Sequence, residues 1–448
     1  MKLSFPRRLG LAHRPPRRAE GRRPAGRRPA WDQPSSGSPR ARANHPAAIR
    51  RRRLIAAGVT LVLVVGVAIA VFEESGGRGP GYAPSGSPAV SVIAPADVSH
   101  AARGAGRAPQ FKPATAAVSL AATLPLARQV AQLFMVSLDG RSPSAGLAIG
   151  PDGWGGVVLV ASSFSGDSQA GALAAGVDAA ARGAGGVPPL IAAAQAGGSD
   201  TALPGPPPQA EPLVRASGQA ALARAQALAT GQRLRALGFN MTLAPLADVD
   251  TPGGAFSGRL FGTDPGTVAR LSLAAVNGYA AGGLISAAGH FPGSGGASAD
   301  PDQMTATVGG SLDELRAHDL VPFVAVAPKA PVILMSNASY AAFDGVTPAG
   351  LLAPAVALLR NDYAFQGVVM SDDLDAALLA TGGNSGSAAV QAIEAGDDLL
   401  YISGPESEHQ AAYAAVLSAA RASASLRTKV HDALLRVLSL KAKYGILR

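Results

Sequence analysis

The sequence predicts an α/β fold, a (β/α)8 barrel of the TIM type, preceded by a basic tail and one long apolar span. Three observations carry this reading. Eight short apolar runs recur in the chain beyond residue 118, each about the length of a buried strand. Longer Ala-, Leu- and Arg-containing stretches with helical spacing separate them, which is the alternation of a parallel sheet wrapped by helices. The seventh run ends in two carboxylates, Ser371-Asp372-Asp373, and a parallel barrel displays its chemistry at the carboxyl ends of its strands. A doubly wound open sheet meets the first two observations equally well and is the alternative architecture.

From the N-terminus, residues 1–53 hold 16 Lys and Arg against only Glu20 and Asp32, a net of +14. The 448-residue chain carries +9 in all, so residues 54–448 carry −5 and the basicity belongs to the tail. Arg, Pro and Gly without apolar periodicity bury too little surface to offset ordering entropy, which predicts disorder for this tail. It has neither interleaved aromatics nor a folded reader, so nucleic acid is not an expected partner.

Residues 54–72 are 19 positions without a charge. As a helix they would span about 28 Å, the thickness of a bilayer's hydrocarbon core. Arg50 to Arg53 on one side and Glu73-Glu74 on the other orient such a span with the tail in the cytoplasm. The expectation is a single-pass signal anchor in the cell membrane with the barrel extracytoplasmic. Ala68-Ile69-Ala70 has the small-x-small form of a cleavage site, so secretion after cleavage following Ala70 stays open. The chain has no cysteine, which excludes disulfides, thiolate metal ligands and a lipidated Cys. Residues 73–117, dominated by Gly, Pro, Ser and Ala, read as a flexible spacer, and 118–448 as the barrel domain.

The apolar runs are 134–138, 156–161, 189–194, 241–246, 284–288, 332–336, 367–370 and 399–403. Helical spacing is read over 219–237, 265–281, 312–327 and 351–362. A last amphipathic helix over 430–447, with Leu434, Leu435, Val437, Leu438 and Leu440 on its apolar side, is expected to close the barrel.

Asp372 leaves a buried strand as a potential nucleophile or base, yet Ser-Asp-Asp ahead of a helix is also an N-cap pattern. Asp373 is expected to be the cap or a supporting group. After the fifth run comes His290-Phe291-Pro292-Gly293-Ser294-Gly295-Gly296, followed by Asp300-Pro301-Asp302. The glycines lack the Gly-Lys-[Ser/Thr] ending of a phosphate loop. His100, His318, His409 and His431 show no metal-ligand spacing, and neither a metal nor an organic cofactor is expected.

The segment from Gly289 to Asp302 resembles the K-H-F-P-G-H-G and D-[ST]-H text of family 3 glycoside hydrolases, particularly the bacterial β-N-acetylglucosaminidases. Leu234 to Asp250, Gly258-Arg259-Leu260-Phe261-Gly262, Met335 to Tyr340, Leu358-Leu359-Arg360 and Arg436 to Lys441 are similar to further stretches of that family in the same order. The resemblance covers about Leu126 to Leu447. It implies Asp372 as the nucleophile of a retaining mechanism, with the partner acid about 5 Å away, and Arg259, His290 and Asp248 as substrate-binding groups. The family's D-[ST]-H His is replaced by Asp302, with Asp300 in the Asp place, so Asp302 is the candidate acid/base. The family's Lys is Gly289, its second His is Ser294, and its D-Q-E-G-G is Ala194-Gln195-Ala196-Gly197-Gly198. Each lost charge-assisted hydrogen bond would remove roughly 1.5–3 kcal/mol of sugar binding.

Two functions stay open at this point. One is a hydrolase of O-glycosyl bonds on β-linked N-acetylhexosamine or a related cell-wall glycan. The other is a catalytically inactive, membrane-tethered glycan-binding or scaffold domain of the same fold. The sequence does not give the oligomeric state. Arg259 is also read as a partner of Asp248 within the barrel mouth, and His290 as a loop anchor.

Overall fold

The computed structural model describes residues 110–138, 140–142, 153–184, 186–205 and 207–447. The tail 1–53, the apolar span 54–72 and the spacer through residue 109 lie outside the described residues. Among the described residues no helix is long and apolar enough to cross a membrane.

Eight parallel strands close into a barrel: β1 (Phe134–Ser137), β2 (Gly156–Val158), β3 (Leu190–Ala193), β4 (Met241–Thr242), β5 (Ile285–Phe291), β6 (Val332–Met335), β7 (Val368–Asp373) and β8 (Leu399–Ile402). Each pairs with its neighbours in chain order, and β1 closes on β8 through Phe134 opposite Leu400. The open-sheet alternative is therefore excluded. The strands are buried between an inner core and a helical coat, which is why they read as continuous apolar runs.

Three strands differ from expectation where it matters for the site, and one is β7, which runs three residues past its expected end at 370 and so carries Asp372 on the strand. β4 pairs regularly only through Thr242, because Pro245 has no N–H to donate; an isolated bridge from Leu246 to Gly289 carries the pairing on. β5 runs three residues past its expected end, so His290 stands on the strand itself.

The helix over Pro265–Ala281 matches the sequence reading. Asp264 caps it by accepting the Thr267 N–H at 2.7 Å, with Pro265 in the first turn. The helix expected over 312–327 is two, Leu312–Ala317 and Val321–Val326, since Pro322 cannot extend the first by donating a backbone bond. The one expected over 351–362 is likewise divided, with Pro354 in the first turn of Ala353–Ala357 and a π turn over Leu358–Asp362.

The closing helix is Ala424–Lys443, capped by Ser423 and ended before Gly445 at φ +68°. It buries Leu434, Val437, Leu438 and Leu440, whereas Leu435 is only partly buried. Lys441 is buried in it; burial pushes its ammonium down to about 7, and its Nζ donates to Gln132 Oε1 at 2.7 Å. Residues 110–117, read from the sequence as the end of the spacer, are among those described. The helix Thr115–Thr123 packs on the closing helix, the Ala114 N–H donates to Ser439 Oγ at 3.0 Å, and the Arg436 guanidinium lies 4.3 Å from the Phe111 ring. Arg360 and Arg436 converge on buried Asp398, which also accepts the Val369 N–H at 2.8 Å. These two arginines thus brace the start of β7, away from its carboxyl end.

Candidate active site

The apolar half of β7 delivers Asp372 to the barrel mouth, where it is 7% exposed. One carboxyl oxygen accepts the Asp373 N–H at 2.9 Å; the other has no hydrogen-bond partner among the described residues. Asp373, not Asp372, caps the following helix Leu374–Thr381 by accepting the Asp375 N–H, and it also accepts the Ser403 N–H at 3.0 Å. The capping role read for the Ser-Asp-Asp pattern therefore falls on the second acid and leaves the first free of it. Burial holds the Asp372 carboxyl well above the usual carboxylate range, and the charge of Asp302 adds to this; His290 and the Asp373 N–H oppose it.

Asp302 lies in the turn after β5, its N–H donating to Asp300 Oδ1 at 3.1 Å. Its carboxyl is also raised, through loss of water around it and the charges of Asp300 and Asp373, against the pull of His290 and a hydrogen bond with Asn337. Solvent reaches residue 302, so these influences act partly through water and are weakened accordingly. Asn337, just past β6, ties this corner together by donating to the Asp373 carbonyl at 2.8 Å.

Asp248 is fully buried and organises the other side. It accepts the His290 N–H at 3.0 Å, His290 Nδ1 at 2.9 Å and the Ser294 N–H at 2.6 Å. Burial of the ring opposes protonation of His290, but Asp248, with help from Asp372 and Asp302, outweighs it and pushes the imidazole up to about 10. His290 is thus both the expected loop anchor and a cation facing Asp372. Ser294 points inward, its Oγ 2.7 Å from Ser336 Oγ, and Tyr340 fixes the same loop through the Gly293 carbonyl at 3.0 Å. A side chain at Gly295 would collide with the Val249 carbonyl, and Gly293 adopts φ +125°, so these glycines serve close packing of the loop on Asp248's neighbours.

Asp248→Asn is expected to destabilise the fold by about 3–5 kcal/mol at neutral pH, because it strips the counter-charge from a buried imidazolium. The folded-state value of His290 lies above its unfolded value, so this contribution is complete below about 6.5 and is lost as pH rises through about 10. Urea melts of the two proteins at pH 7 and pH 10 check this. Equal stabilities at pH 7 would remove Asp248 as the anchor.

Arg259 does not pair with Asp248. Its Nε donates to Asp200 Oδ2 at 3.1 Å, its Nη2 to Asp200 Oδ1, and its Nη1 lies 3.7 Å from Asp300. Phe256 supports the guanidinium at 4.8 Å and stacks on His290 at 5.6 Å. The result is one continuous rank, Asp200–Arg259–Phe256–His290–Asp248, across the loops after β3, β4 and β5. Asp200, Phe256 and buried Glu211, whose Oε1 accepts the Leu246 N–H at 3.0 Å, were not read from the sequence. Asp200 sits two residues past a Gly-Gly turn, and that turn was the only local signal.

Residues 126–440 match the family model described as glycosyl hydrolase family 3 N terminal domain. The chain belongs to glycosyl hydrolase family 3. Among family 3 relatives, a β-hexosaminidase of Stenotrophomonas maltophilia is 33% identical over 274 residues, covering 59% of this chain and 80% of the relative. A family 3 β-N-acetylglucosaminidase from Paenibacillus sp. superposes with a TM-score of 0.67 at 30% identity over 72% of this chain. The present chain spans 63% of that longer protein. A β-N-acetylhexosaminidase from Beutenbergia cavernae gives a TM-score of 0.64 at 32% identity, covering 72% of this chain and 99% of that one. As a family 3 member, the chain resembles the bacterial β-N-acetylglucosaminidases in sequence and in barrel geometry.

Proposed function

We propose that this family 3 chain is a retaining glycosidase acting on β-linked N-acetylhexosamine or a related cell-wall glycan. Asp372 is the nucleophile and Asp302 the acid/base. The observation that carries the reading is the place of Asp372 at the carboxyl end of β7, nearly buried with one carboxyl oxygen held only by the Asp373 N–H, and burial and the charge of Asp302 both raise its carboxyl. Two carboxyls that hinder each other's ionisation divide the roles of proton donor and nucleophile.

In the first step Asp372 forms a bond to the anomeric carbon as the glycosidic C–O bond breaks, and Asp302 gives its proton to the departing oxygen. In the second, Asp302 takes a proton from water, whose oxygen replaces Asp372 at that carbon. His290 favours the ionised form of Asp372, Asp248 holds His290, and Asp300 fixes the turn that carries Asp302. Arg259 presents N–H groups to sugar hydroxyls. The substrate class is supported by the β-hexosaminidase relatives. The charge asymmetry around residues 54–72 supports a cell-membrane location with the barrel outside, or release after cleavage following Ala70.

Proton NMR of the full chain acting on an aryl β-N-acetylhexosaminide tests the mechanism. The β-anomer should appear first and then mutarotate. An α-anomer formed first would sink the nucleophile assignment. One observation favours the second reading, an inactive glycan-binding scaffold: Arg259 is already engaged by two aspartates. Sugar binding with no product from a panel of β-glycosides would establish it.

A further inference from the structure

We infer that Asp200 is a specificity-determining residue that closes the Arg259 position to acidic sugars and leaves it to neutral or amino sugars. The inference rests on the proposed function only for where the sugar sits. A guanidinium offers five N–H donors in a fixed fork, and a free one is the preferred partner of a carboxylate. Here Nε and Nη2 both face the Asp200 carboxylate, and Nη1 faces Asp300 at 3.7 Å. Asp302 acts on the same guanidinium from farther away. One cation therefore meets an excess of carboxylates, and a uronate arriving there would have to displace Asp200 and remain beside Asp300. A sugar hydroxyl meets no such barrier, because it can accept from an N–H and donate to a carboxylate.

Asp200 is held in place. It sits on an antiparallel hairpin, Gln195–Gly197 with Asp200–Thr201, that projects from the end of β3. The Gln195 side chain pins the hairpin's return through Leu203, with its amide donating to the Leu203 carbonyl and accepting its N–H, both at 3.0 Å. Gly197 turns the chain at φ +111°, and a side chain there would collide with the Gln209 carbonyl. Ser199 Oγ donates to Asp200 Oδ2 at 3.2 Å, and the Asp200 side chain is 15% exposed. The acid is thus fixed beside the Arg259 guanidinium.

The test measures binding of methyl β-glucuronide, methyl β-glucoside and methyl β-glucosaminide to the full chain by calorimetry, so it does not need turnover. The wild type should bind the glucuronide at least about tenfold more weakly than the glucoside. Asp200→Asn and Asp200→Ser should each shift that ratio about tenfold towards the glucuronide, and adding Arg259→Ala should abolish the shift. If the wild type binds glucuronide as well as glucoside, the inference is overturned. It is equally overturned if both Asp200 variants, folded by circular dichroism, keep the wild-type ratio, or if none of the three sugars binds. If the ratio shifts as expected while no β-glycoside is turned over, the hydrolase reading fails and the role of Asp200 stands.

Discussion

Asp372→Ala should lower kcat/KM on an aryl β-N-acetylhexosaminide by at least about a thousandfold, equivalent to about 4 kcal/mol of transition-state stabilisation. The barrel supplies no other oxygen on β7 with the same exposure to the mouth: Ser371 is buried, its Oγ accepting the Tyr401 N–H, and Asp373 is committed to the helix cap and to Ser403. Steady-state rates with matched circular dichroism check the expectation. A variant that keeps full rate would transfer the nucleophile elsewhere.

The same site should show a trade between activity and stability. Asp372 has a folded-state value above its unfolded one, so its ionisation costs stability as pH rises from the ordinary carboxylate range towards that raised value. Asp372→Asn removes this cost. It should therefore melt higher than wild type at pH 7, by an amount that shrinks towards zero below about pH 3, where the wild-type carboxyl is protonated in both states. A tenfold difference in acidity between the folded and unfolded chains is worth about 1.4 kcal/mol. A variant less stable than wild type at pH 7 would show that the charge is compensated in the fold.

Asp302→Asn should cost about 10² to 10⁴ in kcat/KM, which reports the step that breaks the glycosidic bond, on substrates whose leaving group needs a proton, the usual contribution of a positioned general acid. The loss should be far smaller with a nitrophenolate leaving group, which departs without one. The split between the two substrates is diagnostic, because a variant that merely disturbed the Asp300–Asp302 turn would slow both alike. The wild-type profile should be bell-shaped, with both limbs belonging to the Asp302–Asp372 pair. An identical loss on both substrates would remove Asp302 as proton donor.

Much of this architecture is legible in the amino-acid sequence. The eight runs from 134–138 to 399–403 mark strands because a parallel strand buried on both faces must be apolar throughout, and that requirement is written residue by residue. Asp372 is legible for the same reason, since a carboxylate ending an apolar strand interrupts a strong local pattern. The helix interrupted just before Pro322 is harder to read. There the helical spacing of apolar side chains continues across the break, and Pro322 lacks the backbone donor that would join the two helices.

The sequence alone determined the alternation of strands and helices, the family resemblance and the placing of Asp372 at the end of an apolar run, because each is written within one run of chain, whereas closure of the ring and the place of His290 on β5 were decided by the tertiary structure. The tertiary structure decided which charges meet. Arg259 is 59 residues from Asp200 and only 11 from Asp248, yet it pairs with the distant acid, while Asp248 turns to His290, 42 residues away. Closure of the ring brings the loops after β3, β4 and β5 together, and electrostatic attraction falls with distance in space, with no regard for separation along the chain.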